Sequence, residues 1–452
     1  MLRGGVSKRR HRTARFHHRP ARSHALRRAA RYRCEYLMMN NIVTYLADFH
    51  TGDKSDLFHQ DRPITKTDEI LLNETLIPRF INEFWTSSQR QSHSLHEISY
   101  RACFKAELPR FFINQLTKYG DLVYDPFMGR GTTLLEAALL GREVAGNDIN
   151  PLSRILIEPR INPPPLAEIH RRLQEIPWNL DLKPELDLSM FYSPATERMI
   201  VSLKEYLLSR KEENTEDYID KWIRMVATNR LTGHSSGFFS VYTLPPNQAV
   251  SPEAQIKINE KRKQVPTDRD VPAIIEKKSI RLQKDLTVAQ AKNLQHLSAR
   301  SRYFCQDAQI SVTLEDETVA LVVTSPPFLD TVQYAADNWL RCWFNHIDAQ
   351  EFGRHITMSR TIEEWSYVMK NVFIELKRLL KPGGWIAFEV GEVRNRTVML
   401  DEVIAPIGIS VGLECCGIVI NQQEFTKTAN CWGIKNNQLG TNTNRIVLFQ
   451  KV

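Results

Sequence analysis

Residues 122–150 constrain the fold more than any other part of the chain. Leu122-Val123-Tyr124 is a short apolar run that stops at Asp125-Pro126-Phe127-Met128-Gly129-Arg130-Gly131-Thr132-Thr133, and 134–140 then reads as a helix closed by Gly141. A second short run, 144–146, leads to Asp148-Ile149-Asn150-Pro151. Strand, glycine turn, helix and strand within about 30 residues make a βαβ unit, and its crossover demands a parallel sheet.

At 452 residues the chain is long enough for two or three folding units, and 42% apolar with 25% charged residues is ordinary globular composition. The seven cysteines are scattered, with no C-x-x-C pair and no metal-ligand spacing, which predicts a reducing compartment and no metal. No run approaches the ~18 apolar residues of a membrane helix, and the Arg-rich start lacks an apolar core, so a soluble intracellular protein with no membrane contact is expected. The net charge of +8 is unevenly spread. Residues 1–37 hold twelve Lys/Arg against Glu35 alone, which leaves the remainder at −3. That basic segment reads as a disordered phosphate-binding arm, an organellar presequence, or an over-called reading frame ahead of Met38-Met39.

Residues 38–160 hold the first part of an α/β domain, with one helix expected around 70–85. Residues 161–300 interrupt it as an inserted, largely helical domain entered through Pro163-Pro164-Pro165; within it, 251–300 carries eleven Lys/Arg against six acids. The α/β pattern resumes over 301–452. A strand over 320–323 stops at Thr324-Ser325-Pro326-Pro327-Phe328, a helix over 362–380 runs into Lys381-Pro382-Gly383-Gly384, and a strand over 385–390 follows. Two last strand-like runs, 417–420 and 445–450, predict an antiparallel hairpin at the sheet edge.

Two clusters carry chemistry. Gly129-x-Gly131 lets the backbone turn sharply at the strand end, where a ligand can approach the free N–H groups of the next helix. Asp148, at the end of the second strand, is placed to accept both hydroxyls of a ribose. Position 134 is Leu, so the dinucleotide pattern G-x-G-x-x-G is incomplete. With Asp125 just ahead of the turn, the site suits an adenosyl ligand bearing an amino-acid group better than a pyrophosphate. In Ser325-Pro326-Pro327-Phe328, two prolines fix the backbone and leave carbonyls and the Ser325 hydroxyl as acceptors, while Phe328 offers a flat face. Such a site grips an exocyclic amino group and stacks its ring.

Together these motifs resemble the S-adenosylmethionine-dependent amino-methyltransferases of DNA, and Ser ahead of Pro-Pro-Phe is typical of the cytosine-N4 branch. The resemblance implies a doubly wound, mostly parallel seven-stranded sheet. It implies cofactor contacts from Asp125, Phe127, Gly129, Gly131, Thr132 and Asp148, from Tyr100 and Phe104 in the segment before the turn, and from Asp307 near the adenine ring. Catalysis falls to Ser325, Pro326, Pro327 and Phe328, acting on a cytosine flipped out of double-stranded DNA. The insertion is the expected DNA reader, with Arg230 and His234 toward base edges and Lys261, Arg262 and Lys263 toward phosphates. A bacterial, cytoplasmic modification enzyme is implied, with room for a cognate restriction endonuclease. Adenine-N6 methylation, methylation of an RNA guanine, and a non-catalytic DNA-binding protein stand as alternatives.

Overall fold

The computed structural model describes residues 42–50, 64–85, 93–100, 103–244, 249–310, 313–327, 334–351, 359, 361–393, 397–422 and 443–452. Phe328, the 1–37 segment and the Asn/Thr-rich stretch before residue 443 lie outside them.

Nine strands form the central sheet: β1 (Lys66–Leu72), β2 (Thr75–Asn82), β3 (Leu122–Asp125), β4 (Glu143–Asn147), β5 (Arg302–Phe304), β6 (Val319–Thr324), β7 (Leu380–Val390), β8 (Glu414–Gln422) and β9 (Thr443–Gln450). Their order is β1-β2-β8-β9-β7-β6-β3-β4-β5. The block from β5 to β7 is parallel, and β9 runs antiparallel to both β7 and β8. Every residue of β3 and of β6 is buried, as expected of strands covered on both faces.

Several expectations need correction. Among the described residues the sheet has nine strands instead of seven, because 66–82 is a β-hairpin where a helix was expected. Its two-residue turn is Asn73-Glu74, with φ of 45° and 66°; such a turn has the twist that joins adjacent antiparallel strands. This hairpin pairs β2 in parallel with β8, so the C-terminal hairpin lies inside the sheet and β1 forms the edge. In addition, Lys381–Gly384 falls within β7 rather than in a turn before it.

Helices cover both faces. They are α1 (Glu107–Leu116), α2 (Thr132–Leu139), α3 (Pro151–Ile161), α4 (Leu166–Glu175), α5 (Pro194–Glu212), α6 (Tyr218–Arg230), α7 (Pro252–Arg262), α8 (Val271–Gln283), α9 (Val288–Ser298), α10 (Tyr334–Asp337), α11 (Trp339–Phe344), α12 (Ile362–Leu379) and α13 (Leu400–Ser410). Three of them begin with a capping side chain followed by proline, at Asn150-Pro151, Ser193-Pro194 and Ser251-Pro252; the cap satisfies a free N–H and the proline occupies a position that needs none. Strand alternation splits the core. Val123, Val323 and Ala387 face one side with residues of α2, α3, α6, α8 and α9, while Tyr124, Val322 and Phe388 face the other with α12 and α13. Among the described residues no helix is long and apolar enough to cross a membrane.

Candidate active site

Strand order reverses direction beside β3: β4 and β5 lie on one flank and β6 and β7 on the other. At such a switch point the strand-end loops part and leave a crevice, where ligands bind in open α/β sheets. Tyr100, Phe127, Gly129, Asp148, Asp307, Ser325 and Pro327 line that crevice together. The two sequence clusters, nearly 200 residues apart, thus meet at the ends of adjacent strands β3 and β6.

Asp125 is the link between them. It is buried beneath the crevice, and its Oδ1 accepts from the Thr324 hydroxyl at 2.6 Å and from the Phe127 N–H at 3.1 Å. Burial pushes its carboxyl up to about 7, against the pull of the Thr324 and Phe127 hydrogen bonds. A folded-state value above the unfolded one means the native state holds the proton more tightly, so stability falls as pH rises between about 4 and about 7. Asp125→Asn keeps an acceptor for Thr324 and cannot ionise. Denaturant unfolding at pH 5 and pH 8 should therefore show the wild type losing stability relative to this variant by on the order of 1–4 kcal/mol; equal pH slopes in the two proteins would refute the assignment.

The glycine turn is pinned on its far side. Gly129 and Gly131 have φ of 49° and 76°, and the Gly129 N–H donates to Asp148 Oδ2 at 2.8 Å while the Asn150 N–H donates to Oδ1 at 2.9 Å. Burial raises the Asp148 carboxyl above its ordinary range despite these donors. Arg160, wholly buried at the end of α3, donates to the carbonyls of Arg130, Leu156 and Leu95. Tyr100 accepts from Asn150 Nδ2 at 3.1 Å, which fixes the ring against the turn.

Ser325 caps β6, and the register that sets Thr324 opposite Phe388 brings it beside Glu389 of β7. The Glu389 carboxyl is buried and raised above its ordinary range by that burial, while hydrogen bonds from Ser325 and Asn444 act the other way. Asn444 Nδ2 donates to Glu389 Oε1 at 2.8 Å. Trp365 of α12 donates its indole N–H to the Pro327 carbonyl at 3.0 Å, holding the proline turn from the opposite wall. Pro326 is buried in that turn.

Other expected residues stand elsewhere. Gly131 packs on α3, Thr132 is buried and accepts from Arg130 Nε at 3.2 Å, and Phe104 packs against the core; none of the three lines the crevice. Arg230 is buried at the end of α6, stacked on Phe238 with its guanidinium 3.9 Å from the ring centroid. His234 is exposed on the following loop. Lys261, Arg262 and Lys263 are exposed at the end of α7, with Arg262 over the Tyr242 ring. Glu389 and the α12 wall were missed by sequence reasoning. A lone acid in the apolar run 385–390 was the available signal for Glu389.

The crevice fits S-adenosylmethionine. Its carboxylates, Asp148 and Asp307, suit the ligand's hydroxyls and positive charge, and Phe127, Ile149 and Ala308 offer apolar faces to a purine. Two lining side chains hold buried polar atoms with no hydrogen-bond partner among the described residues, Gln306 Nε2 and Ser359 Oγ, as expected where a polar ligand completes the site. Among the described residues no group of three or more His, Cys, Asp or Glu is placed to hold a metal ion.

Part of the chain is similar to known proteins. Residues 53–155 match the family model described as DNA methylase, N6_N4_Mtase. The Type II methyltransferase M.MvaI of Kocuria varians is 32% identical over 98 residues, which is 21% of this chain and 21% of that protein. M.BsoBI of Geobacillus stearothermophilus is 41% identical over 91 residues, covering 19% and 18%. The chain thus spans about a fifth of the length of these curated relatives. A TehB-like SAM-dependent methyltransferase from Corynebacterium glutamicum aligns over 76% of this chain and 87% of its own, at 9% identity and a TM-score of 0.27. Over residues 53–155, the segment that carries the glycine turn and Asp148, the chain is similar to the N6/N4 DNA methylase family.

Proposed function

We propose that the protein methylates the exocyclic N4 amino group of cytosine in double-stranded DNA. The observation that carries this reading is the Ser325 hydroxyl, placed at the crevice and hydrogen-bonded to the buried Glu389. S-adenosylmethionine, when bound, supplies an electrophilic methyl group on a sulfonium centre. The chain's own residues supply the rest. Asp148 and Asp307 anchor the ligand, and Trp365 and the two prolines hold the acceptor turn rigid, so that little reorganisation accompanies reaction.

A duplex buries the amino group, so the base leaves the stack to react, and Phe328 is the aromatic face assigned to it. Ser325 Oγ accepts one amino hydrogen, which turns the nitrogen lone pair toward the crevice. Methylated nitrogen then sheds a proton, and Ser325 passes it to the Glu389 carboxylate, whose raised affinity for protons suits a base.

Nucleoside mass spectrometry of unmethylated plasmid DNA, incubated with the protein and S-adenosylmethionine, tests the reading. N4-methylcytosine is the expected product. N6-methyladenine would overturn the choice of base, and a product found only in added RNA would overturn the choice of substrate.

A further inference from the structure

A second concavity of about 880 Å³ borders the crevice, with Tyr100 as a wall common to both. It runs between the segment 96–100, the loop after α6 and the exposed side of α8. Six Arg and Lys side chains line it against three acids, Glu97, Asp268 and Asp270. Arg281, Lys278 and Lys284 all converge on a single carboxylate, that of Glu97. Asp270 is committed to capping α8 through the Ala273 N–H.

The other cations of the groove form no ion pair among the described residues. Arg230 donates to the Asn229 and Gly237 carbonyls and to Asn229 Oδ1, and Arg130 donates to the carbonyls of Ile98 and His96 and to Thr132. The buried Nε of Arg269 has no hydrogen-bond partner among the described residues, and Lys277 is exposed on the rim. Burial, with Arg230 next in strength and Glu97 acting the other way, pushes the Lys278 ammonium down to about 8. An anion in the groove would relieve that repulsion. Ser235, Ser236 and Gly237 on the opposite lip add small hydroxyl and N–H donors, the groups that accompany Arg and Lys at phosphodiester contacts.

We infer that this groove seats consecutive backbone phosphates of the DNA whose target base enters the crevice past Tyr100, an inference that rests on the DNA reading above. A single small anion would leave most of the groove's length unused, whereas a nucleic-acid strand presents a charge at each step. Helix α8 and the 234–237 loop are then the phosphate-positioning surface, beside the expected basic end of α7.

The test is the salt dependence of duplex binding, measured by fluorescence anisotropy on full-length protein. Lys277→Ala with Arg281→Ala should weaken binding about tenfold at moderate salt and lower the slope of log affinity against log salt by about 2, since each phosphate neutralised by the wild type adds about 0.9 to that slope. The charge-matched Lys66→Ala with Lys183→Ala should leave the slope unchanged. Cofactor affinity, read by calorimetry, should equal that of the wild type, which separates weakened phosphate binding from a damaged fold. Lys277→Glu alone should give a loss of the same sign. Equal slopes for the groove variant and the wild type would sink the groove whatever the methylation result. A wild type that binds the duplex but never methylates it would instead sink the reaction, leaving the groove to stand on its slope.

Discussion

Replacing Ser325 by Ala, or Glu389 by Gln, should lower kcat about 10²–10⁴-fold while cofactor binding stays at the wild-type level. The two residues act as one relay. Ser325 meets the amino group and Glu389 receives the proton, so removing either disables both, and the double variant should be hardly slower than the worse single one. A pH profile separates this role from mere packing. Burial raises the Glu389 carboxyl, and a base works only when ionised, so wild-type kcat should climb with pH through a value above the ordinary glutamate range. Glu389→Gln cannot ionise and should lose that limb while keeping the Asn444 contact through its carbonyl oxygen. A Gln variant that turns over at the wild-type rate, or retains the acidic limb, would remove Glu389 from the chemistry. Burst measurements on pre-formed complexes would show whether the loss lies in transfer or in product release.

What the sequence shows of this site is whatever its own neighbours enforce. A glycine turn between an apolar strand and a helix has one local solution, and two prolines after Ser325 have few, so both turns and the helix between them can be read without any tertiary knowledge. Pairings between stretches far apart in the chain leave no such trace. Glu389 meets Ser325 only because β6 and β7 pair with Thr324 opposite Phe388, and Asp125 meets Thr324 only because β3 lies on the other flank of β6. The hairpin at 66–82 misleads for the same reason. Ile77, Phe80 and Phe84 are buried at spacings of three and four, which fits a helix, yet Arg79 sits opposite Ile418 of β8 and the strand exists to make that pairing. The local signal that outweighs helical spacing there is Asn73-Glu74, a pair that adopts positive φ without glycine. Arg230 shows the converse. A polar, loop-bordering arginine reads as a base-contacting side chain, but α6 is buried nearly all round and carries its last residue inward onto Phe238.

Gly131→Ala should cost about 2–5 kcal/mol of stability and weaken the cofactor more than its single added methyl suggests. Two penalties add. A φ of 76° is left-handed, which costs a residue with a β-carbon about 1–2 kcal/mol, and that carbon would fall 2.4 Å from Ile157 Cγ1 and 2.6 Å from Ile157 Cβ. Overpacking of this kind costs about 1–3 kcal/mol more. The turn cannot slide away from α3, because Arg160 of that helix holds the Arg130 carbonyl and Asp148 holds the Gly129 N–H. Any shift that relieves Ile157 therefore moves Gly129, which lines the crevice, and cofactor affinity falls with stability. The two penalties can be told apart by trimming the neighbour. In the Ile157→Ala background, Gly131→Ala should lose the overpacking part and keep the backbone part, so its cost in denaturant unfolding should drop by about half. Were Gly131→Ala as stable as the wild type, the left-handed turn against α3 would not be what shapes the cofactor crevice; a cost unchanged by Ile157→Ala would place the whole penalty in the backbone.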